Sequence, residues 1–222
     1  MPTGFCVDLS ELQTILEQTL PMARLETVTL PGCEQIELAL INWDFPVGPL
    51  PPEVMDAVLE TPAYWAFCWG SGLALARFLL EDPRWVAGKT VVDLGSGSGV
   101  AAIAAAKAGA ARVVACDTDP GARVATATNA RLNDIELEVT DVLPATADML
   151  LMADVLYDRR NLPLLATAQT HAAEILVADS RVTTMPESNY REVARIDALT
   201  YPNLGEFDEF KTAHLFHWTE PG

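Results

Sequence analysis

Val91-Val92-Asp93-Leu94-Gly95-Ser96-Gly97-Ser98-Gly99 is the stretch on which the reading of this chain turns. A short β-branched run, Thr90–Leu94, meets three glycines, and an alanine-rich segment, Val100–Ala108, follows at once. The pattern predicts strand, tight loop and helix. Glycine is needed where the backbone bends sharply and where a ligand must approach the main chain closely. Such a loop does not by itself name its ligand, since Gly97-x-Gly99-x-x-Ala102 also satisfies the fingerprint of a dinucleotide fold. The carboxylates around it say more. Asp93, two residues before the first glycine, would repel a pyrophosphate but suits a cofactor that carries an ammonium group. Asp117 follows the apolar run ending at Cys116 and can accept both hydroxyls of a ribose, a feature both cofactor classes share. Asp141 follows the next predicted strand, where a side chain can reach an adenine amino group. Turn capping is the ordinary role of Asp after a strand. It accounts for Asp117 and Asp141 singly, but poorly for the whole set.

Outward from this loop, strands and helices alternate. Leu73–Leu80 is a predicted helix before it. After it come a strand over Val113–Cys116, a helix over Ala122–Leu132, and strands over Leu137–Thr140 and Met149–Ala153. A helix over Leu162–Ala173 and a strand over Ile175–Ala178 complete the alternation. This order implies a doubly wound, mostly parallel α/β sheet with both faces covered. Glu192–Thr200 and Lys211–Trp218 predict a closing hairpin that adds an antiparallel C-terminal strand. Residues 61–222 are expected to form this domain. Residues 1–60 are expected to be a small extension packed on it. There, Ser10 and Gln13 make a capping-box pattern before Leu12, Ile15, Leu16 and Leu20 at helical spacing. Glu26–Leu30 and Gln35–Ile41 predict a hairpin about Pro31-Gly32, and Glu53–Leu59 a short helix.

Composition narrows the function classes. With 14 basic and 31 acidic residues the net charge is −17, and no Lys/Arg-rich stretch exists to neutralise phosphates, so nucleic acid is not an expected partner. The charge first of all keeps the chain soluble, and it also suits a cationic substrate such as a lysine-bearing protein. Cys6, Cys33, Cys68 and Cys116 are widely spaced and predict buried free thiols in a reducing, cytoplasmic compartment. His214 and His217 fall on one predicted strand, three residues apart and so on opposite sides. No metal site is expected. Met1–Ser10 lacks the basic-then-apolar pattern of a secretory signal, and no apolar run approaches the ~20 residues that span a membrane.

The glycine stretch resembles motif I of the class I, seven-β-strand methyltransferases, which use S-adenosylmethionine. Further matches are Tyr64-Trp65-Ala66-Phe67-Cys68-Trp69, Gly72–Arg77, Asp117-Thr118-Asp119-Pro120, Asn129-Ala130-x-x-Asn133 and Asp154-Val155-Leu156-Tyr157-Asp158. Within the class, these are most similar to the protein-lysine methyltransferases, the electron-transfer-flavoprotein β-subunit enzyme and its bacterial relatives in particular. The resemblance implies a Rossmann-like, seven-stranded sheet. It implies that Asp93 faces the methionine ammonium, and that Gly95, Ser96, Gly97 and Gly99 line the cofactor. Asp117 and Thr118 would lie at the ribose, Asp141 and Val142 beside adenine, and Trp69 would close over the site. One departure stands out: a family relative has Pro and Gly after that Trp, where this chain has Gly70 and Ser71.

At the substrate end, Asp154 and Tyr157 match an acidic-x-x-Tyr/Phe motif that in the resembled enzymes receives the amine. Methyl transfer from a sulfonium is an in-line displacement with an excellent leaving group, so positioning matters more than acid–base power. Asp154 would anchor the ammonium before it loses its proton. Tyr157 and Trp65 would offer cation–π walls. The bland alternative gives Asp154 to a helix cap and Tyr157 to the core. Absence of an Asn/Asp-Pro-Pro-Tyr motif argues against nucleic-acid and glutamine methylation. Asn129 and Asn133 are expected to be structural hydrogen-bonders, Asp179-Ser180-Arg181 a turn, and the acids Glu206, Asp208 and Glu209 a solvated loop. Protein-lysine methylation is the leading expectation. A small-molecule amine acceptor, a non-catalytic cofactor binder and a nicotinamide oxidoreductase stand behind it.

Overall fold

The computed structural model describes residues 7–46, 48–186, 189–204 and 210–220. Cys6 and the loop acids Glu206, Asp208 and Glu209 lie outside them. The first sixty residues supply α1 (Ser10–Thr19), the hairpin β1 (Leu25–Leu30) and β2 (Cys33–Ile41), and α2 (Pro52–Glu60). The remainder runs α3 (Gly70–Glu81), β3 (Thr90–Leu94), α4 (Val100–Lys107), β4 (Arg112–Cys116), α5 (Pro120–Leu132) and β5 (Glu138–Thr140). It continues with β6 (Ala147–Ala153), α6 (Pro163–Gln169), β7 (Ala172–Asp179), β8 (Arg191–Asp197) and β9 (Thr212–Thr219).

Strands β3 to β9 form one sheet in the order β5-β4-β3-β6-β7-β9-β8. β9 runs antiparallel to both its neighbours, while the pairs from β5 to β7 are parallel. The sheet is the mostly parallel, seven-stranded one expected, with its antiparallel strand at the C-terminus. Alternate residues divide its two faces. Val91, Val113, Met149, Leu151 and Leu176 pack beneath α3 and α4. Val92, Val114, Leu150, Met152 and Ile175 pack with Leu165 and Ala168 of α6.

The N-terminal hairpin adds a further layer. On β2, Ile36, Leu38 and Leu40 face the cluster that includes α3 and α4. Ala39 and Ile41 face Leu12 and Leu16 of α1 instead. This explains the composition of α4, where Val100 to Ala105 are all buried. With the sheet on one side and the hairpin on the other, no face is left for polar residues, and alanine lets the layers approach.

Three local expectations change. Ser10 is the first residue of α1 rather than its cap. The Asp8 carboxylate accepts from the Ser10 N–H at 2.9 Å in its place. Gln13 does not reach back; its amide donates to Ala23 O and accepts from the Leu25 N–H, tying α1 to β1. The helix expected over Leu162–Ala173 ends at Gln169, because Ala172 enters β7 beside Ala147. The helix expected over Leu73–Leu80 begins at Gly70, for a reason that lies in the site.

Candidate functional site

Sheet order places the site. From β3 the chain steps outward through β4 and β5, then returns to the other side of β3 as β6. Ligands of open α/β sheets bind where the order reverses, beyond the carboxyl ends of the strands. At that point lie the loop 95–99 after β3 and the residues 154–157 after β6.

The loop is held by main-chain bonds and by α5. Gly95 N–H donates to Cys116 O at 2.8 Å, and Gly99 N–H to Ser96 O at 2.7 Å. Asp117 Oδ2 accepts from Gly97 N–H at 2.9 Å, while its Oδ1 accepts from Asp119 N–H. Thr126 Oγ1 donates to Gly97 O and meets Ser96 Oγ at 3.0 Å. Thr126 is buried and was not singled out in the sequence; helical spacing gives no sign that it faces the loop. Two glycines are obligatory. Gly99 has φ 83°, and a Cβ there would lie 3.1 Å from the α-carbon of Thr126; at Gly95, with φ 77°, a Cβ would lie 2.9 Å from Val155 Cγ2.

Asp93 is 2% exposed. Its Oδ2 accepts from the Ala102 N–H at 3.0 Å, so it caps α4, whose N-cap Gly99 has no side chain to do so. Burial pushes the carboxyl up to about 7, against the pull of that N–H and aided by the neighbouring charge of Asp117. Trp69, Gly72, Asp93, Gly95 to Ser98, Val100, Ala101 and Ala153 enclose a crevice of about 40 Å³. That space suits the head of an ammonium-bearing chain; a nucleoside would lie outside it, along half-buried Asp117 and exposed Thr118, Asp141 and Val142. Val142 is 70% exposed. An apolar crevice with one desolvated carboxylate fits a cationic amino-acid nucleoside and offers nothing to a pyrophosphate.

Next to Ala153 of this lining, Asp154 adopts a left-handed backbone with φ 53°. Its Oδ2 accepts from the Ser71 N–H at 2.9 Å and its Oδ1 from the Ser71 hydroxyl at 2.6 Å. Because Ser71 lies in the first turn of α3, this carboxylate caps the helix and lets it start at Gly70. The bland reading, a cap on the helix that follows, names the right role on the wrong helix. Burial raises the Asp154 carboxyl to about 6, opposed by the Ser71 bonds and reinforced by Asp179.

Tyr157 is 51% exposed, and its ring meets Tyr64 edge-on at 5.8 Å. Tyr64 in turn meets Trp69, whose Nε1 donates to Tyr64 O. Trp65 does not form this wall. It is 3% exposed within the α1/β2 cluster, and its Nε1 would be 2.5 Å from a Cβ on Gly121. Tyr64 holds the place expected of Trp65. Adjacent residues of a turn point apart, and the sequence could not tell which faced the site.

Asn129 and Asn133 brace the hairpin. Asn129 accepts from Ala39 N–H at 2.7 Å and donates to Ser98 O at 2.8 Å. Asn133 exchanges bonds with both backbone groups of Glu37. Asp179 accepts from the Arg181 and Val182 N–H groups, the expected turn. His214 and His217 pair with different carboxylates, Glu192 and Glu174. Cys33, Cys68 and Cys116 are free and buried.

Comparison with known proteins agrees with this geometry. Residues 76–158 match the family profile of Ribosomal protein L11 methyltransferase (PrmA). The electron transfer flavoprotein beta subunit lysine methyltransferase of Danio rerio is 38% identical over 139 residues, 58% of this chain and 54% of that one. The Rattus norvegicus enzyme of the same name is 33% identical over 161 residues, 70% of this chain and 60% of that one. The chain thus spans a little over half the length of these curated relatives. Among solved structures, the N-methyltransferase NodS of Bradyrhizobium japonicum, in complex with S-adenosyl-L-homocysteine, has a TM-score of 0.51 at 16% identity. The likeness covers 68% of this chain and 86% of that one, and it speaks to the fold. In sequence motifs and in fold, the chain is similar to the class I, seven-β-strand methyltransferases.

Proposed function

We propose that this chain transfers a methyl group from S-adenosylmethionine to an amine, and that the amine is a lysine side chain of a protein. One observation carries the reading: the loop after β3 and the acidic-x-x-Tyr segment after β6 are in contact, Val155 standing over Gly95. A cofactor on the loop therefore has an acid and an aromatic ring beside it. S-adenosylmethionine supplies an electrophilic methyl carbon on a sulfonium. Asp93 would hold its ammonium, Asp117 its ribose, and Asp141 and Val142 its adenine. Trp69 closes the crevice. Asp154 receives the acceptor ammonium, and Tyr64 and Tyr157 flank it with aromatic faces, which attract cations.

Charge and exposure support a protein acceptor. Ten acids and one base, Arg24, precede Tyr64. Met22, Trp43, Met55 and Leu59 are exposed in the same segment, Trp43 at 73%. An acidic surface with scattered apolar groups suits a basic protein face. The free thiols suit a reducing compartment, and among the described residues no helix is long and apolar enough to cross a membrane.

The relatives' names make the electron transfer flavoprotein beta subunit the first acceptor to try, with ribosomal protein L11 second. Incubation of each with labelled S-adenosylmethionine, followed by mass spectrometry, should place the label on lysine in one of them. Binding of S-adenosylmethionine without label on any protein amine would overturn the acceptor; absence of binding would overturn the whole reading.

A further inference from the structure

The two residues at which the chain departs from the resembled family, Gly70 and Ser71, are both in use. Gly70 N–H donates to Thr200 Oγ1 at 3.3 Å, a bond that proline could not make. A Cβ there would stand 2.6 Å from Ala198 O. Ser71 is fully buried, and it donates twice to Asp154, through its N–H and its hydroxyl. Glycine at position 71 would leave only the first bond.

We infer that Ser71 is a positioning residue, whose hydroxyl fixes the second oxygen of Asp154 and presents the carboxylate, charged, to the acceptor amine. The inference rests on the proposed role of Asp154. Three constraints act together: a left-handed backbone at Asp154, a bond from its N–H to Ala178 O, and the two donors of Ser71. The surroundings otherwise favour a neutral acid. From α3 and the residue pair before it come Ser71 and the Cys68 thiol; from the end of β7 come Asp179 and Arg181. Asp179, 1% exposed, and desolvation both disfavour charge on Asp154, and only Arg181 and the Ser71 bonds oppose them. A donated hydroxyl hydrogen at 2.6 Å bonds more strongly to a carboxylate than to a carboxylic acid.

The test follows the Asp154 carboxyl directly. Protein carrying ¹³C-labelled aspartate is titrated by NMR, the Asp154 signal being assigned by its loss in Asp154→Asn. Ser71→Ala should move the midpoint up by about one pH unit, Ser71→Gly likewise, and Ser71→Thr should leave it near wild type. With an acceptor protein in hand, the acid limb of kcat/KM should move by the same amount while the plateau is kept. A midpoint in Ser71→Ala and Ser71→Gly that coincides with wild type would overturn the inference, as would a rate lowered equally at all pH. Full activity in Asp154→Asn would instead remove the role of Asp154, whatever Ser71 does.

Discussion

Asp93 and Asp154 lie at the carboxyl ends of neighbouring strands and do the same physical job. Each is a desolvated carboxylate whose pKa is pushed up, to about 7 and about 6. Each caps a helix that has no side-chain cap of its own, α4 for Asp93 and α3 for Asp154. They differ in range. Asp93 meets its donor nine residues away and within one strand–loop–helix unit. Asp154 meets its donor 83 residues away. The side proposed for the cofactor is thus a local motif, whereas the side proposed for the acceptor exists only once the whole sheet is assembled.

The sharpest break in this pairing comes from truncating each acid. Asp154→Ala should lower methyl transfer by on the order of a hundredfold or more, with S-adenosylmethionine affinity by titration calorimetry nearly unchanged. Asp93→Ala should do the reverse and weaken the cofactor by about a hundredfold, as expected when one partner of a buried charge pair is removed. If both variants lose affinity equally, the two sides are not separate.

Next in size is a pH effect confined to the cofactor side. Asp93 must be ionised to meet an ammonium, so affinity should fall as pH drops below about 7, by up to about tenfold per unit. Above about 8 a free α-amino group loses its own charge, and affinity should decline again. Asp93→Asn should flatten the acid side of this profile. Asp117, raised by burial and close by, contributes in the same direction. A flat profile in the wild-type protein would mean that Asp93 does not meet the charge.

Asp117→Ala should cost about tenfold in affinity, because Asp117 holds Gly97 N–H and is the residue proposed to meet the ribose. The smallest effect on ligand, though not on folding, belongs to the brace. Asn129→Ala strands Ala39 N–H and Ser98 O, and should cost about 2–3 kcal/mol of stability in urea titration. Wild-type stability would deny that the hairpin and the loop are mechanically joined.

What the sequence disclosed follows the same local-versus-distant division. Thr90–Leu94 and its loop are read directly, since β-branched residues, glycines and alanines each have one strong backbone preference. The mostly parallel sheet follows from the alternation and the antiparallel β9 from the closing hairpin, whereas the strand order is seen only in the structure. The roles of Ser71, Thr126 and Tyr64 are not legible in the sequence, because each is defined by a partner on another element: Asp154, Gly97 and Tyr157. Trp65 was assigned to the rim on chemistry alone, and burial beside Gly121 removes it. The capping box at Ser10 failed for a related reason, with Asp8 nearer to the exposed N–H groups and Gln13 engaged by β1.

The layer that β2 lays over α4 limits how this protein can be engineered. Ile36, Leu38 and Leu40 are completely enclosed, and each contributes about 1.5–3 kcal/mol by leaving water. Deleting the hairpin would expose an alanine helix with no polar side and remove one partner of Asn129, which steadies Ser98. A minimal version trimmed to the nucleotide-binding half should therefore aggregate, and grafting a new acceptor specificity is better attempted on the outer turn of α2, where no residue is buried.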